Sequence, residues 1–354
     1  MFTIISLLLC VTTSVHCLGC VNHLGESVDW WLGIKMPSPH GTRYVAIEPG
    51  MVDWYAGNDI TGPLNNHLAN TLQPLYRQND TAFMLYNDET PPADGGHVDF
   101  VRAHAKGVLG LGEQNGFWLV HSVPKFPNNP SDSEGYLGVL PGQQKYAQSF
   151  LCLSMNGSDL NEIADVLHEE SLSFFSDVHD GSPTIWNSYP KLKQVLSATP
   201  LPREEFIFKT FQTSAGEIVT AISTPSTLIA HGTGASFDLY NYIAQSFQTS
   251  LKVSTWPNEH DRQPSYCPVN DSLSVENVHM VSVDNISWLS HMDHSKIAMS
   301  DSSSRPVTCI GDKNRSLHQL LRGGGSVCMF RKDVWQLFDA MIVSTESCPM
   351  TTSL

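Results

Sequence analysis

The sequence predicts an α/β (α+β) fold with a faint internal duplication. Two observations carry that expectation: β-rich runs share the chain with helical stripes, and one short motif, His-x-Lys, occurs twice in comparable surroundings. The 354 residues, 41% of them hydrophobic, suffice for one large domain or for two lobes with cores of their own. Residues 1–17 read as a leader, 18–190 as an N-terminal lobe with the first motif, and 191–354 as a C-terminal lobe with the second. Gly and Pro recur between residues 180 and 205, which suits a connection between lobes.

The elements follow in order. Residues 28–37 and 43–56 read as strands joined by a Pro/Gly/His turn, and 81–88 as a further strand. Residues 103–111 and 116–124 are β-rich runs separated by Glu113-Gln114-Asn115-Gly116, where the Asn-Gly step signals a hairpin. Ser158 is placed to cap a helix carrying Leu160, Ile163, Ala164, Val166 and Leu167 on one face. Ser236 precedes a second stripe, Leu239, Tyr240, Ile243, Ala244 and Phe247. A third helix is predicted over 332–343. These stripes are core surfaces.

The first seventeen residues form an uncharged apolar run with Val15 and Cys17 in the positions of a leader cleavage site, before Leu18; a buried first element is the competing reading. Beyond it no run reaches the roughly eighteen apolar residues a membrane span needs. With Cys10 and Cys17 in the leader, Cys20, Cys152, Cys267, Cys309, Cys328 and Cys348 remain. An even set in an exported chain suggests three disulfides, with pairing open, and the lack of a Cys-x-x-Cys step argues against a zinc ribbon or thioredoxin-type site. Sequons at Asn79, Asn156, Asn270, Asn285 and Asn314 fit export, to the outside or to lysosomes.

A net charge of −15 argues against tight binding of a polyanion at neutral pH. The 15 His (His16 in the leader) would bring that charge close to zero near pH 5, which permits work on a polyanion in acid.

The chemistry resides in His104-Ala-Lys106 and His294-Ser-Lys296. On a strand, residues i and i+2 share a face, so each imidazole is presented beside an ammonium. Two such pairs suit phosphodiester cleavage: one imidazole attacks phosphorus, the other protonates the leaving oxygen, and the ammonium groups hold the non-bridging oxygens. No step needs a metal or cofactor. Triplets of this kind arise readily by chance, so context decides. His121 and Ser122 lie 17 and 18 residues after His104, and Asp312 lies 18 after His294, each at the end of a predicted strand. That is a faint internal duplication, of the kind a site at a pseudo-twofold interface requires.

The run HAKGVLGLGEQNGFWLVHSVPKFP resembles one signature of the deoxyribonuclease II family, and DHSKIAMSDSSSRPVTCIGDKNR with the later RGGGSVC resembles the other. VDWWLGIKMP, LQPLYR and LYNDE are similar to that family's N-terminal half, and the likeness runs from about Cys20 to Cys348, weakest in the middle third. The resemblance implies a phospholipase D-like fold, two pseudo-symmetric lobes each with a central mixed sheet flanked by helices. It implies acid, metal-independent cleavage of double-stranded DNA to 3′-phosphates, with a phosphohistidine intermediate. Carried over by position, His104, Lys106, His294 and Lys296 are the catalytic groups, and the disulfides are Cys20–Cys152, Cys267–Cys348 and Cys309–Cys328. The chain departs from the family at Gly112, where an acid is common, and at Ala105, where Thr is common.

Further residues are weighed against plain structural roles. His121, Asp312 and Asn314 are candidates to support the imidazoles or phosphate, and a site role for Asn314 excludes its glycosylation. Asp301 completes a His-x-Lys-x₄-Asp pattern that the first motif lacks, Leu111 standing there. Arg315 and Arg322 are candidates for DNA backbone contact, and Gly323-Gly324-Gly325 for offering amides to phosphate or for forming a turn. The His291/His294 spacing is set aside as a metal site. DNA is the expected partner and no membrane is; monomer and homodimer stay open. The rival readings are a catalytically weak, secreted nuclease-like protein that binds DNA or a host protein, and phosphodiesterase action on lipid or RNA.

Overall fold

The computed structural model describes residues 18–77, 81–131, 135–176, 184–197, 206–224, 238–268 and 273–346. The expected leader, the sequons at Asn79 and Asn270, and Cys348 lie outside them.

The chain is mixed α+β and is built on two large sheets. A short hairpin of β1 (Cys20–Val21) and β2 (Ser27–Val28) leads into β3 (Trp30–Lys35), β4 (Tyr44–Ile47) and β5 (Tyr55–Gly57). β6 (Ala82–Asn87), β7 (Lys106–Leu111), β8 (Asn115–His121), β9 (Gln148–Asn156) and β10 (Phe174–Ser176) complete the first sheet, in the order β10-β6-β7-β8-β9-β3-β4-β5. Every pairing in it is antiparallel.

The second sheet contains β11 (Ile207–Gln212), β12 (Ile218–Thr224), β13 (Leu251–Ser254), β14 (Val275–Val283), β15 (Ile286–Leu289), β16 (Ile297–Ser300), β17 (Thr308–Gly311), β18 (Gly324–Met329) and β19 (Ile342–Thr345). Its order is β11-β12-β18-β17-β16-β13-β14-β15, with β19 also on β14. Only the second sheet is mixed, through the parallel pair β13–β14. The six-strand paths β6-β7-β8-β9-β3-β4 and β13-β16-β17-β18-β12-β11 correspond in position.

The central strands β3, β6, β7 and β18 are buried along their whole length, so both faces of each sheet must be covered. One core is shared between the lobes: Trp30, Leu109 and Met155 of the first sheet join Phe211, Ile310 and Met341 of the second half. The outer face of the first sheet packs on the helix His67–Leu72 through Leu68 and Leu72, and that of the second on the helix Leu239–Phe247 through Ile243 and Phe247. Strand β17 touches both β8 and β9, which brings the strand ends of the two lobes together.

Several local expectations are corrected. In the β7–β8 hairpin Leu111 stands opposite Gly116, so Asn115-Gly116 opens β8 and the turn is Gly112–Gln114. The helix expected after Ser158 begins at Gly157 with Asn156 in the cap position, and a second helix runs Ala164–Glu170. Asp238 caps Leu239–Phe247, accepting from the amides of Tyr240 and Asn241 at 2.9 and 3.0 Å, while Ser236 lies outside the described residues. The last helix, Lys332–Met341, stops short of Val343 because Ile342–Thr345 pairs as a strand with β14.

Disulfides join Cys20 to Cys152 and Cys309 to Cys328, the latter across directly opposed positions of β17 and β18. Cys267 is also disulfide-bonded. Among the described sequon residues, Asn156 and Asn285 are exposed and Asn314 is buried. No described helix is long and apolar enough to cross a membrane.

Arg315, weighed for DNA, is an internal strut. Its Nε donates to Asp238 at 2.9 Å and its Nη1 to Asn277 at 2.7 Å, with both charged side chains nearly inaccessible. Removing one partner of a buried pair strands the other charge, a cost of about 3–5 kcal/mol. Asp238→Ala, which also removes the helix cap, is therefore expected to lose at least that much in urea unfolding.

Candidate active site

Strand β7 begins at Lys106 and β16 at Ile297, so each His-x-Lys motif sits at a strand entrance rather than within the strand. Alternation nevertheless holds: Ala103 and Ala105 point into the shared core, leaving His104 and Lys106 on the other face. The His104 backbone is fixed by donating its N–H to the Gly323 carbonyl at 3.0 Å. His294 donates its own to Ala147 at 2.9 Å, across a parallel bridge between the lobes at Ala147 and Asp293.

The imidazoles are held reciprocally. His104 Nδ1 lies 2.6 Å from the Asp312 carbonyl, just past the end of β17, and His294 Nδ1 lies 3.1 Å from the Ser122 carbonyl, just past the end of β8. A carbonyl only accepts, so both rings carry hydrogen on Nδ1 and present Nε2 to the site. Lys296 Nζ also lies 3.3 Å from His294 Nδ1, but it donates to the His294 carbonyl at 2.7 Å, and the Ser122 contact sets the tautomer. The duplication extends behind the rings. Ser122 donates its N–H to the Ser149 carbonyl and accepts from the Ser149 amide at its Oγ; Asp312 donates to the Gly325 carbonyl and accepts from the Gly325 amide at its carboxylate.

The two lysines differ. Lys106 pairs with buried Asp88, whose other oxygen accepts from Arg322 at 2.9 Å. Asp88 is held below the usual carboxylate range by these two cations, which outweigh its burial. Its Oδ2 lies 4.0 Å from His104 Nε2. Among the described residues Lys296 has no carboxylate partner, and burial with Lys106 nearby lowers its pKa to about 7. Both motif imidazoles are pushed well below the ordinary histidine value, first by burial and then by the lysines of both motifs. Each ring thus senses both ammonium groups, which places the four side chains in one electrostatic neighbourhood.

Several candidates are reassigned. His121 is fully buried beside Phe126 and Phe150, with ring centroids 5.1 and 6.5 Å away. Its Nδ1 accepts from the Val123 amide at 3.2 Å, and burial lowers its pKa to about 3, so it is a neutral core group. Asp312 serves His104 through its carbonyl; its carboxylate accepts the Lys106 amide at 3.3 Å and is pushed up by burial. Asn314 accepts from the Trp256 amide at 3.3 Å and donates to Glu259 at 2.8 Å, bracing a neighbouring segment. Arg322 is spent on Asp88 and on the carbonyls of Asp99, Arg102 and Ala103.

Asp301 follows the far end of β16, and at about 3.3 Å per strand residue it stands roughly 16 Å from Lys296. Gly112 lies just past the far end of β7, its carbonyl accepting from the Tyr189 hydroxyl at 2.8 Å, so the missing acid does not touch the histidines. Gly323 and Gly325 are neither an amide nest nor a loose turn: a Cβ on Gly323 would meet the Glu170 carbonyl oxygen at 1.9 Å, and one on Gly325 the Ile222 carbonyl oxygen at 2.6 Å. Asp88 was missed because its motif context, LYNDE, reads only as the end of a strand.

A cavity of about 550 Å³ in the second lobe is lined by Arg262, Asn277, His279, His291, Arg315 and Glu346 among others, and by none of the four motif side chains. Among the described residues one cluster, Glu259, Asp261 and His318, has metal-type ligand atoms within 4.8 Å of one another, and neither motif histidine belongs to it.

Fold and site together define a two-lobed protein with one histidine–lysine centre at the lobe junction. The family model for deoxyribonuclease II matches residues 19–348. Similar proteins include cell-death-related nuclease 7 of Caenorhabditis elegans, 31% identical over 95% of this chain and 90% of that one. They also include deoxyribonuclease-2-beta of Rattus norvegicus, 31% identical over 94% and 93%, and deoxyribonuclease-2-alpha of Mus musculus, 29% identical over 98% and 99%. The chain belongs to the deoxyribonuclease II family, and is a nuclease by class.

Asp88→Ala leaves Lys106 and Arg322 buried without their counter-ion, and a loss of about 3–5 kcal/mol is expected in denaturant unfolding. Asp88→Asn should be milder, since it keeps a hydrogen-bond acceptor for one cation.

Proposed function

We propose that this protein is an acid, metal-independent endodeoxyribonuclease that cuts double-stranded DNA to 3′-phosphate ends, acting outside the cell or in lysosomes. The reciprocal hold on the two imidazoles carries the reading, because it leaves two Nε2 atoms presented beside two ammonium groups. His104 Nε2 attacks phosphorus while the bond from phosphorus to the 5′ oxygen breaks, and His294 gives that oxygen its proton. The 3′ fragment-bearing phosphohistidine is then opened by water, which His294 deprotonates, leaving a 3′-phosphate. Lys296, which has no carboxylate partner among the described residues, clamps a non-bridging oxygen, and Lys106 supports the same charge from its Asp88 pair.

The electrostatics favour acid. His294 must carry a proton to act as the acid, yet burial and the lysines push its pKa down, so the proton is taken up only at low pH. A bound phosphodiester adds a negative charge that favours the imidazolium. Lys296 is charged below about pH 7 and loses its charge above it, so the clamp also fails as pH rises.

Supercoiled plasmid at pH 5 in EDTA is expected to be nicked by the wild type and left intact by His104→Ala or His294→Ala. A well-folded wild type inert from pH 4 to 7 would instead support the binding-protein reading. Lys296→Met removes a cation that depresses His104 and His294. The alkaline limb of kcat/KM for residual activity should therefore move to higher pH, while kcat falls roughly tenfold or more.

A further inference from the structure

Two aromatic rings stand against His294 that the phosphoryl chemistry does not use. Tyr146 is stacked at 30° with its centroid 6.4 Å from the imidazole, and Trp256 is tilted at 62° and 5.2 Å away. The two rings meet edge to face at 4.5 Å, forming a corner. Both are part-exposed, unlike Phe126 and Phe150 beside His121, which are sealed in the core. Neither the Trp256 Nε1–H nor the Tyr146 hydroxyl has a hydrogen-bond partner among the described residues, so each keeps a polar edge available. The Lys145 ammonium lies 4.8 Å from the Tyr146 centroid, adding a cation where a strand would pass.

The corner is also rigid. The Tyr146 carbonyl accepts from buried Lys35 at 2.6 Å, and its neighbour Ala147 is tied to Met292 and His294. The Trp256 amide donates to Asn314, which Glu259 holds in turn. The half-open aromatic corner thus stands 5.2 to 6.4 Å from the His294 ring, beside the place proposed for the phosphate.

We propose that Tyr146 and Trp256 form a stacking platform for an unpaired nucleobase next to the scissile phosphate. Sequence-tolerant base stacking on such rings, with a lysine on the backbone, is how single strands are gripped without reading their sequence. On duplex DNA the corner would take a base displaced from its stack, which orients the adjoining phosphate towards His294. The proposal rests on the nuclease reading of the same site.

The test uses His104→Ala protein, in which the strand stays uncut, and fluorescence anisotropy at pH 5. The probes are a labelled single-stranded oligonucleotide and a strand of equal length made of abasic tetrahydrofuran residues. Trp256→Ala and Tyr146→Ala are each expected to weaken binding of the intact strand roughly tenfold or more and to change the abasic strand less than about twofold. Trp256→Phe should keep most of the affinity. Should an alanine variant fail to fold, Trp256→Leu and Tyr146→Leu carry the same comparison. Equal losses on both probes, or none on either, overturn the platform and leave the rings as supports for His294. Failure of the nuclease reading shows separately, as wild-type protein that binds the strand but does not nick plasmid.

Discussion

Each imidazole of the two His-x-Lys motifs is fixed by a backbone carbonyl of the opposite lobe, and the arrangement of the whole site depends on that exchange. Asp312 and Ser122 follow the ends of equivalent strands, β17 and β8, and each turns its carbonyl to the histidine at the other lobe's strand entrance. The lobes must therefore pack in one register for either ring to be oriented. The shared core from Trp30 to Met341 supplies the packing, and the contact of β17 with β8 and β9 supplies the register. A backbone acceptor keeps its place through the sheet, without a side-chain rotamer to lose.

The electrostatics break the symmetry that the backbone keeps. On the first side Asp88, Lys106 and Arg322 form a buried, hydrogen-bonded ion cluster in which one carboxylate is shared by two cations. On the second side Lys296 has no carboxylate partner among the described residues, and burial with Lys106 nearby lowers its pKa. Two copies of one motif thus acquire different characters, one lysine paired with a carboxylate and the other with its pKa lowered to about 7. The same burial that lowers both imidazoles favours their neutral form.

Much of this was legible in the chain. The structure brings the two His-x-Lys motifs, each at a strand entrance, against the matching residues 18 positions on, Ser122 and Asp312. What failed had identifiable causes. His121 carries the same parity as a site residue but turns into a pocket of Phe126 and Phe150, which spacing cannot show. Asp301 fits a linear pattern yet is carried away by the length of β16. Arg315 and Arg322 read as surface cations because their carboxylates, Asp238 and Asp88, are distant in sequence.

By itself, then, the sequence determined the family, the alternation that places His and Lys on one face, and the apolar stripes by which the helices join the core. These depend on local periodicity and on short strings of residues. Only the tertiary structure decided which carbonyl orients which ring, which lysine is neutralised by Asp88, and that Tyr146 and Trp256 close around His294. Those are contacts between residues more than a hundred positions apart or across the lobe junction, or between side chains whose partner is chosen by packing. Sequence spacing carries no record of them, because they exist only once the two sheets have met.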